Sequence, residues 1–136
     1  MQSVIPKKLK MSVVSEFFRD LFRIVPPLVF FKDRFYDIQL IQGRSMEPTL
    51  KSGDLVIVEK TDSVQPDDLV VFFNPLSESK QRLVKRVVAS RVLEGSSRLY
   101  VLGDNTEHSV DSRVFGEVNS NLVDGRVCAT LFRSFT

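Results

Sequence analysis

Two patterns of apolar residues meet near Arg34 to Asp37. Before that point Val13, Phe17, Leu21 and Ile24 recur at helical spacing, Phe18, Phe22 and Val25 widen the apolar face, and Arg19, Asp20 and Arg23 punctuate the rest. The spacing predicts an amphipathic helix that Pro26 and Pro27 end, because proline lacks the backbone donor and its ring crowds the preceding turn. The longest uncharged run, Ile24 to Phe31, is eight residues, against the roughly 17 to 25 that a spanning helix needs. Phe17, Phe18, Phe22, Phe30, Phe31 and Phe35 fall here with Lys7, Lys8, Lys10, Arg19 and Arg23. A basic, aromatic-rich amphipathic helix suits a bilayer interface, or docking on a partner's membrane helix. A helix packed against its own domain is the competing expectation.

From Asp37 onward the pattern changes to short β-branched runs separated by turn residues. Strands are expected at Ile38 to Gln42, Leu55 to Glu59, Leu69 to Phe73, Arg82 to Val92, Arg98 to Leu102 and Arg126 to Leu131. Ser52-Gly53-Asp54, Gln65-Pro66-Asp67-Asp68, Asn74-Pro75, Glu94-Gly95 and Asp124-Gly125 supply the breaks. The expected fold is mainly β: a membrane-associated segment over residues 1–36, then a compact domain of antiparallel sheets over 37–136.

Composition narrows the chemistry. With 136 residues, 43% of them hydrophobic, the chain has room for one compact domain. A net charge of +2 lacks the basic excess of a nucleic-acid binder, and Tyr100, Phe72 and Phe73 have no clustered basic neighbours for base stacking. Cys128 and His108 are the only residues of their types, so an intrachain disulfide, a structural zinc site and a histidine cluster are excluded. No metal and no cofactor is expected.

Three stretches carry the candidate chemistry. The first is Gly43-Arg44-Ser45-Met46-Glu47-Pro48-Thr49-Leu50, directly after a strand. A serine exposed at such a turn becomes a nucleophile only beside a base, and Gly-x-Ser by itself is more often a turn. The second is Leu83-Val84-Lys85-Arg86-Val87-Val88-Ala89. Alternation puts Leu83, Lys85 and Val87 on one face and Val84, Arg86 and Val88 on the other, without saying which is buried. A buried lysine is useful because desolvation disfavours its charged form, whereas arginine stays protonated. The third runs from Gly103 to Gly116 and packs acids, hydroxyls, an amide and an arginine between two glycines. Such a loop can orient a buried base, or be a solvated loop held by Asx-turns.

Together these stretches resemble the signal peptidase I family over roughly Ile38 to Leu131. The resemblance rests on five boxes in order: Ser45 to Leu50, Gly53 to Val56, Pro66 to Phe72, Lys85 to Ala89, and Gly103 to Gly116. It implies a signal-peptidase-like domain of coiled antiparallel sheets, with Ser45 as nucleophile, Lys85 as general base and Ser109 orienting the lysine amine. Arg86 with Asp104, and Asp111 with Arg113, correspond to the family's structural charge pairs. The oxyanion hole would use the Ser45 N–H, with Gly43 standing where many bacterial members have a serine. Ile41, Met46, Leu50 and Val84 are the candidates for shallow pockets that favour small side chains before the cut. His108 falls in the last box where other polar residues are common, and histidine-type relatives put their base at the position of Lys85.

The short interval Ser90 to Leu102 is similar to the compact mitochondrial inner-membrane members, which implies that membrane, facing the intermembrane space; a bacterial or plastid membrane is the alternative. The implied partners are precursor proteins with cleavable presequences, the membrane and a paralogous protease subunit in a hetero-oligomer, with no nucleic acid. A self-cleaving repressor-type protease shares the serine-lysine chemistry, but the Pro48-Thr49 box and the absence of a helix-turn-helix count against it. A catalytically silent, partner-binding subunit is the other alternative, against which intact Ser45 and Lys85 count.

Overall fold

The computed structural model describes residues 7–135, and the side chains of 13–30 and 35–135. Lys7, Lys8, Lys10 and Phe31 therefore lie outside the described side chains. The chain falls into two units divided between Arg34 and Phe35.

The first unit carries helix α1, Lys7–Phe35, whose last residue already belongs to the second. It continues through Pro26 and Pro27, where a stop was expected. The two rings remove two intrahelical donors, those that would bond the Phe22 and Arg23 carbonyls. Leu21 to Val25 and Leu28 to Phe30 nevertheless keep helical backbone on either side, so local propensity did not decide the end. Phe17, Phe18, Leu21, Phe22, Ile24 and Phe30 are all exposed. Among the described residues no helix is long and apolar enough to cross a membrane.

The second unit is mainly β. Its strands are β1 Tyr36–Leu40, β2 Leu55–Glu59, β3 Leu69–Phe73, β4 Arg82–Leu93, β5 Ser96–Leu102, β6 Val118–Asn119 and β7 Val123–Phe132. They form one antiparallel sheet in the order β1-β2-β7-β3-β4-β5-β6. Irregular registers interrupt β2 against β7, β3 against β7 and β4 against β5. Such bulges bend the strand and increase the twist that coils the sheet.

Strand β3 explains how the core divides. Its continuous apolar run Leu69–Phe73 is what a strand covered on both faces needs. Val71 packs with Ile41, Met46, Leu50, Val56 and Val58 on one side. Val70 and Phe72 pack with Val87, Leu99, Val101 and Val118 on the other. Alternation on β1 and the registers through β2 to β7 leave a further apolar face outside both clusters. Tyr36, Ile38 and Leu40 are exposed there, with Ile57 opposite Ile38 and Phe132 opposite Leu55.

Candidate active site

Residues 41–54 form a loop closed on its own backbone. The Ile41 N–H donates to the Asp54 carbonyl at 2.8 Å, and the Gly53 N–H donates to the Ile41 carbonyl at 2.9 Å. The buried Asp54 carboxylate accepts from the Lys51 N–H, 2.9 Å, and the Ser134 N–H, 2.7 Å. Those bonds hold its carboxyl below the usual carboxylate range. Ile41, Met46 and Leu50 anchor the loop in the core. Ser45 is thus carried, half-buried, beside a fixed Met46. Gly43, two residues earlier, has φ +84°, a backbone that favours glycine. Its N–H donates to the Ser52 hydroxyl at 3.3 Å. Among the described residues the Ser45 N–H has no hydrogen-bond acceptor.

The polar loop after β5 grips this turn from the other side. The Asn105 N–H donates to the Ser45 carbonyl at 2.9 Å, and the Asn105 side chain donates to the Arg44 carbonyl at 3.1 Å. Asp104 accepts from Thr49 Oγ1 at 2.5 Å and from Arg86 Nε and a terminal nitrogen at 2.9 and 2.7 Å. The Arg86 bonds, with help from Thr49, outweigh burial and keep the Asp104 carboxyl low. Gly103 has no room for a side chain. A Cβ there would meet Ser109 Oγ, lie 2.5 Å from Ser109 Cβ and 2.7 Å from the Ser45 carbonyl oxygen.

Lys85 sits on β4 opposite Val70 of β3, on the face that carries Leu83 and Val87. It is 3% exposed. Burial pushes its pKa below the ordinary value; the Asp111 charge works against that fall and the Arg113 charge adds to it. Asp111 is fully buried. It accepts from Arg113 Nε and a terminal nitrogen at 2.9 and 2.8 Å, from the Gly103 N–H at 3.0 Å and from Ser109 Oγ at 2.7 Å. Burial would raise the Asp111 carboxyl, but these bonds hold it well below the usual carboxylate range. Among the described residues Lys85 forms no ion pair.

Beside Ser45 opens a cleft of about 350 Å³. One wall is Gln39, Leu40, Ile41, Gln42 and Gly43, continuing to Ser45 and Met46; the other is Gln81, Arg82, Leu83 and Val84. Strand β5 pairs with β4 only from Arg86 to Leu93, and β1 pairs only with β2, so both walls present unpaired strand edges. Four successive antiparallel pairings join β1 to β4, so the two walls run in the same direction.

Of the residues singled out from sequence, Ser45, Gly43, Ile41, Met46 and Val84 line this cleft. Leu50 lies in the core beneath the loop and does not line it. Lys85 is one residue beyond the lining. The Ser45 carbonyl lies against Gly103 and the Asp111 charge reaches Lys85, so the loop from Gly103 to Asp111 meets both; among the described residues no hydrogen bond joins the Ser45 and Lys85 side chains. The Ser109 hydroxyl donates to Asp111. His108 is exposed, its ring nitrogen 3.3 Å from the Asn105 amide oxygen. Sequence reasoning missed Gln39, Gln42, Gln81 and Arg82 as cleft walls, and Ser112, whose buried hydroxyl accepts from the Val101 N–H at 2.9 Å. Gln39, Gln42 and Arg82 lie within expected strands and Gln81 directly before one, and nothing local marked them or Ser112.

A half-buried turn serine and a buried lysine thus stand in one β domain, with the polar loop after β5 bonded to the serine turn and carrying the carboxylate whose charge reaches the lysine. The sequence profile described as "Signal peptidase, peptidase S26" matches residues 15–91 and 90–132, so the chain belongs to that family. Among curated proteins it is similar to mitochondrial inner membrane protease subunit 1 of Schizosaccharomyces pombe, 30% identical over 71% of this chain and 74% of that protein. Subunit 2 of the same organism is 30% identical over 89% of this chain and 80% of its own length. Mouse subunit 2 is 31% identical over 79% and 73%.

Proposed function

We propose that this chain is a membrane-associated serine endopeptidase that removes presequences from precursor proteins by a serine-lysine mechanism. The observation that carries this reading is the burial of Lys85 beside a carboxylate, Asp111, that is already neutralised by Arg113. A lysine so placed is kept from the ion pair that would fix its charge, and burial favours the neutral amine, the form that can accept a proton. Neutral Lys85 takes the proton from Ser45 Oγ as that oxygen attacks the scissile carbonyl. The ammonium then protonates the leaving amine, and the lysine, neutral again, activates the water that releases the acyl group. Ser109 uses its proton on Asp111, which leaves its lone pairs to accept from the lysine amine and orient it. The free Ser45 N–H serves as an oxyanion donor. The Gly43 N–H is held by Ser52, so Gly43 contributes backbone shape rather than a hydroxyl.

The substrate lies extended between the unpaired edges of β1 and β4, where backbone hydrogen bonds give affinity and Ile41, Met46 and Val84 face the side chains before the cut. Residues 1–36 act as the membrane-associated segment and 37–136 as the catalytic domain. The exposed aromatic residues of α1 and the outer apolar face of Tyr36, Ile38, Leu40 and Phe132 support attachment to a bilayer. The named relatives favour the mitochondrial inner membrane and a paralogous subunit as partner; on this reading the domain faces the intermembrane space.

The test is incubation of the purified full chain in detergent with a presequence peptide library, followed by mass spectrometry of the cut positions. Discrete internal cuts are expected after small residues, with Ser45→Ala slower by roughly 10^4-fold or more. Unchanged turnover in Ser45→Ala would overturn the assignment.

A further inference from the structure

The cleft is fastened at the end remote from Ser45. Arg82, at the start of β4, donates to Asp37 Oδ2 at 2.7 Å and to Gln39 Oε1 at 3.3 Å, both on β1 across the cleft. Its other terminal nitrogen lies 3.2 Å from Asp124 Oδ2 at the start of β7. Because the two walls run in the same direction, Asp37, Gln39 and Arg82 share one end and Ile41, Gly43, Ser45 and Val84 share the other.

We propose that Arg82, with Asp37 and Gln39, forms a clasp that closes the far end of the cleft and sets how many substrate residues before the cut can lie in it. This rests on the protease reading above. The wall from Gln39 to Gly43 is four residue steps, at most about 13 Å at the roughly 3.3 Å per step of extended chain, which is room for no more than about four extended residues. A longer chain has no free strand edge beyond that point unless the clasp opens, so it turns out of the cleft there. Arg82, Asp37 and Gln39 are specificity-determining in this sense: they fix length, while Ile41, Met46 and Val84 read side chains.

The test uses the full chain in detergent and peptides sharing one cleavage sequence with two to eight residues before the cut. For the wild type, kcat/KM rises up to about four residues and then levels. In Arg82→Gln and in Asp37→Asn the rise continues to about six, with the six-residue peptide preferred over the four-residue one by roughly tenfold, the size of one or two additional strand hydrogen bonds. The same length dependence is read as Kd by fluorescence anisotropy in the Ser45→Ala background. Asp37→Asn is nearly isosteric at a partly exposed position, and it decides the matter if Arg82→Gln does not fold. A purely structural Arg82 would lower every rate by a common factor and leave the plateau in place, which overturns the clasp. A wild-type chain that neither cleaves nor binds any peptide overturns the protease reading and the clasp with it; cleavage with an unmoved plateau overturns the clasp alone.

Discussion

Arg113 grips Asp111 through both carboxylate oxygens, at 2.9 and 2.8 Å, and so neutralises the acid whose charge reaches Lys85. The pair has opposite effects on the lysine: the Asp111 charge favours the ammonium and the Arg113 charge disfavours it. Removing one member therefore moves Lys85 in a direction that identifies the member removed. Arg113→Met should carry the alkaline rise of kcat/KM to higher pH, because Asp111 is freed to hold the ammonium. Asp111→Asn should carry it to lower pH. A pH-rate profile of each variant checks both signs, and a common shift in one direction would contradict them.

Asp111→Asn should also cost stability, roughly 2 to 3 kcal/mol, since the substitution weakens charge-assisted bonds inside a buried group. Burial alone would raise the Asp111 carboxyl, but its bonds to Arg113, Gly103 and Ser109 hold it below the unfolded value. The stability it contributes is present above the ordinary carboxylate pKa and is lost as pH falls towards the folded value. Denaturant midpoints of wild type and Asp111→Asn should differ at neutral pH and converge in strong acid.

Lys85 gives the same pH slope for the opposite reason, because here burial penalises the charged form. Its folded pKa is lowered by burial, so at neutral pH the folded state binds protons less readily than the unfolded chain. Stability from this group is therefore poorest at low pH and improves as pH rises from the folded value towards the ordinary lysine value. Lys85→Met, similar in volume, should raise the denaturant midpoint at neutral pH and abolish cleavage. Lys85→Arg should abolish cleavage as well, because guanidinium does not surrender its proton. His108→Ala should keep the wild-type pH profile.

What the sequence made legible and what it left hidden divide by distance along the chain. The strands Leu55–Glu59 and Leu69–Phe73 have the predicted ends because their apolar runs are bounded by turn residues. The first strand lies two residues earlier than expected, at Tyr36–Leu40. Ile41 looks like its continuation, but its backbone bonds close the Ser45 loop at Asp54 and Gly53 instead. Val118–Asn119 is too short to alternate. Alternation left both faces of Lys85 open; its place opposite Val70, whose strand is buried on both sides, puts the lysine inside. The partnership of Arg82 with Asp37, 45 residues apart, depends on the coiling of five strands and left no local trace.

Gly103 lies between the Ser109 side chain and the backbone of the turn that carries Ser45. A methyl group there would overlap the Ser109 side chain and press on the Ser45 carbonyl oxygen, which is backbone and cannot rotate away. Gly103→Ala should therefore destabilise by about 1 to 3 kcal/mol, as overpacking does. On the proposed mechanism it should also lower kcat more than it raises KM, since the displaced groups bear on Ser45 rather than on the strand edges of the cleft. Steady-state kinetics with a denaturant titration checks this; a folded, fully active alanine variant would mean the two loops do not have to meet so closely.

Asp104 joins the same two loops to β4, accepting from Thr49 at 2.5 Å and from two nitrogens of Arg86 at 2.9 and 2.7 Å. Both charged partners are partly buried, so the pair is screened less than a surface bridge. Arg86→Met and Asp104→Asn should each destabilise, and the double variant should cost less than the sum, with a coupling of roughly 1 to 3 kcal/mol. Thr49→Val tests the other arm. It leaves the Arg86 bridge in place and removes only the bond from the Ser45 loop, so it should cost about 1 kcal/mol. If Asp104 serves to position Ser45, Thr49→Val should lower kcat out of proportion to that small loss, while Arg86→Met should act mainly on the denaturant midpoint. Equal effects of the two variants on kcat at matched stability would show that Asp104 braces the sheet and not the serine.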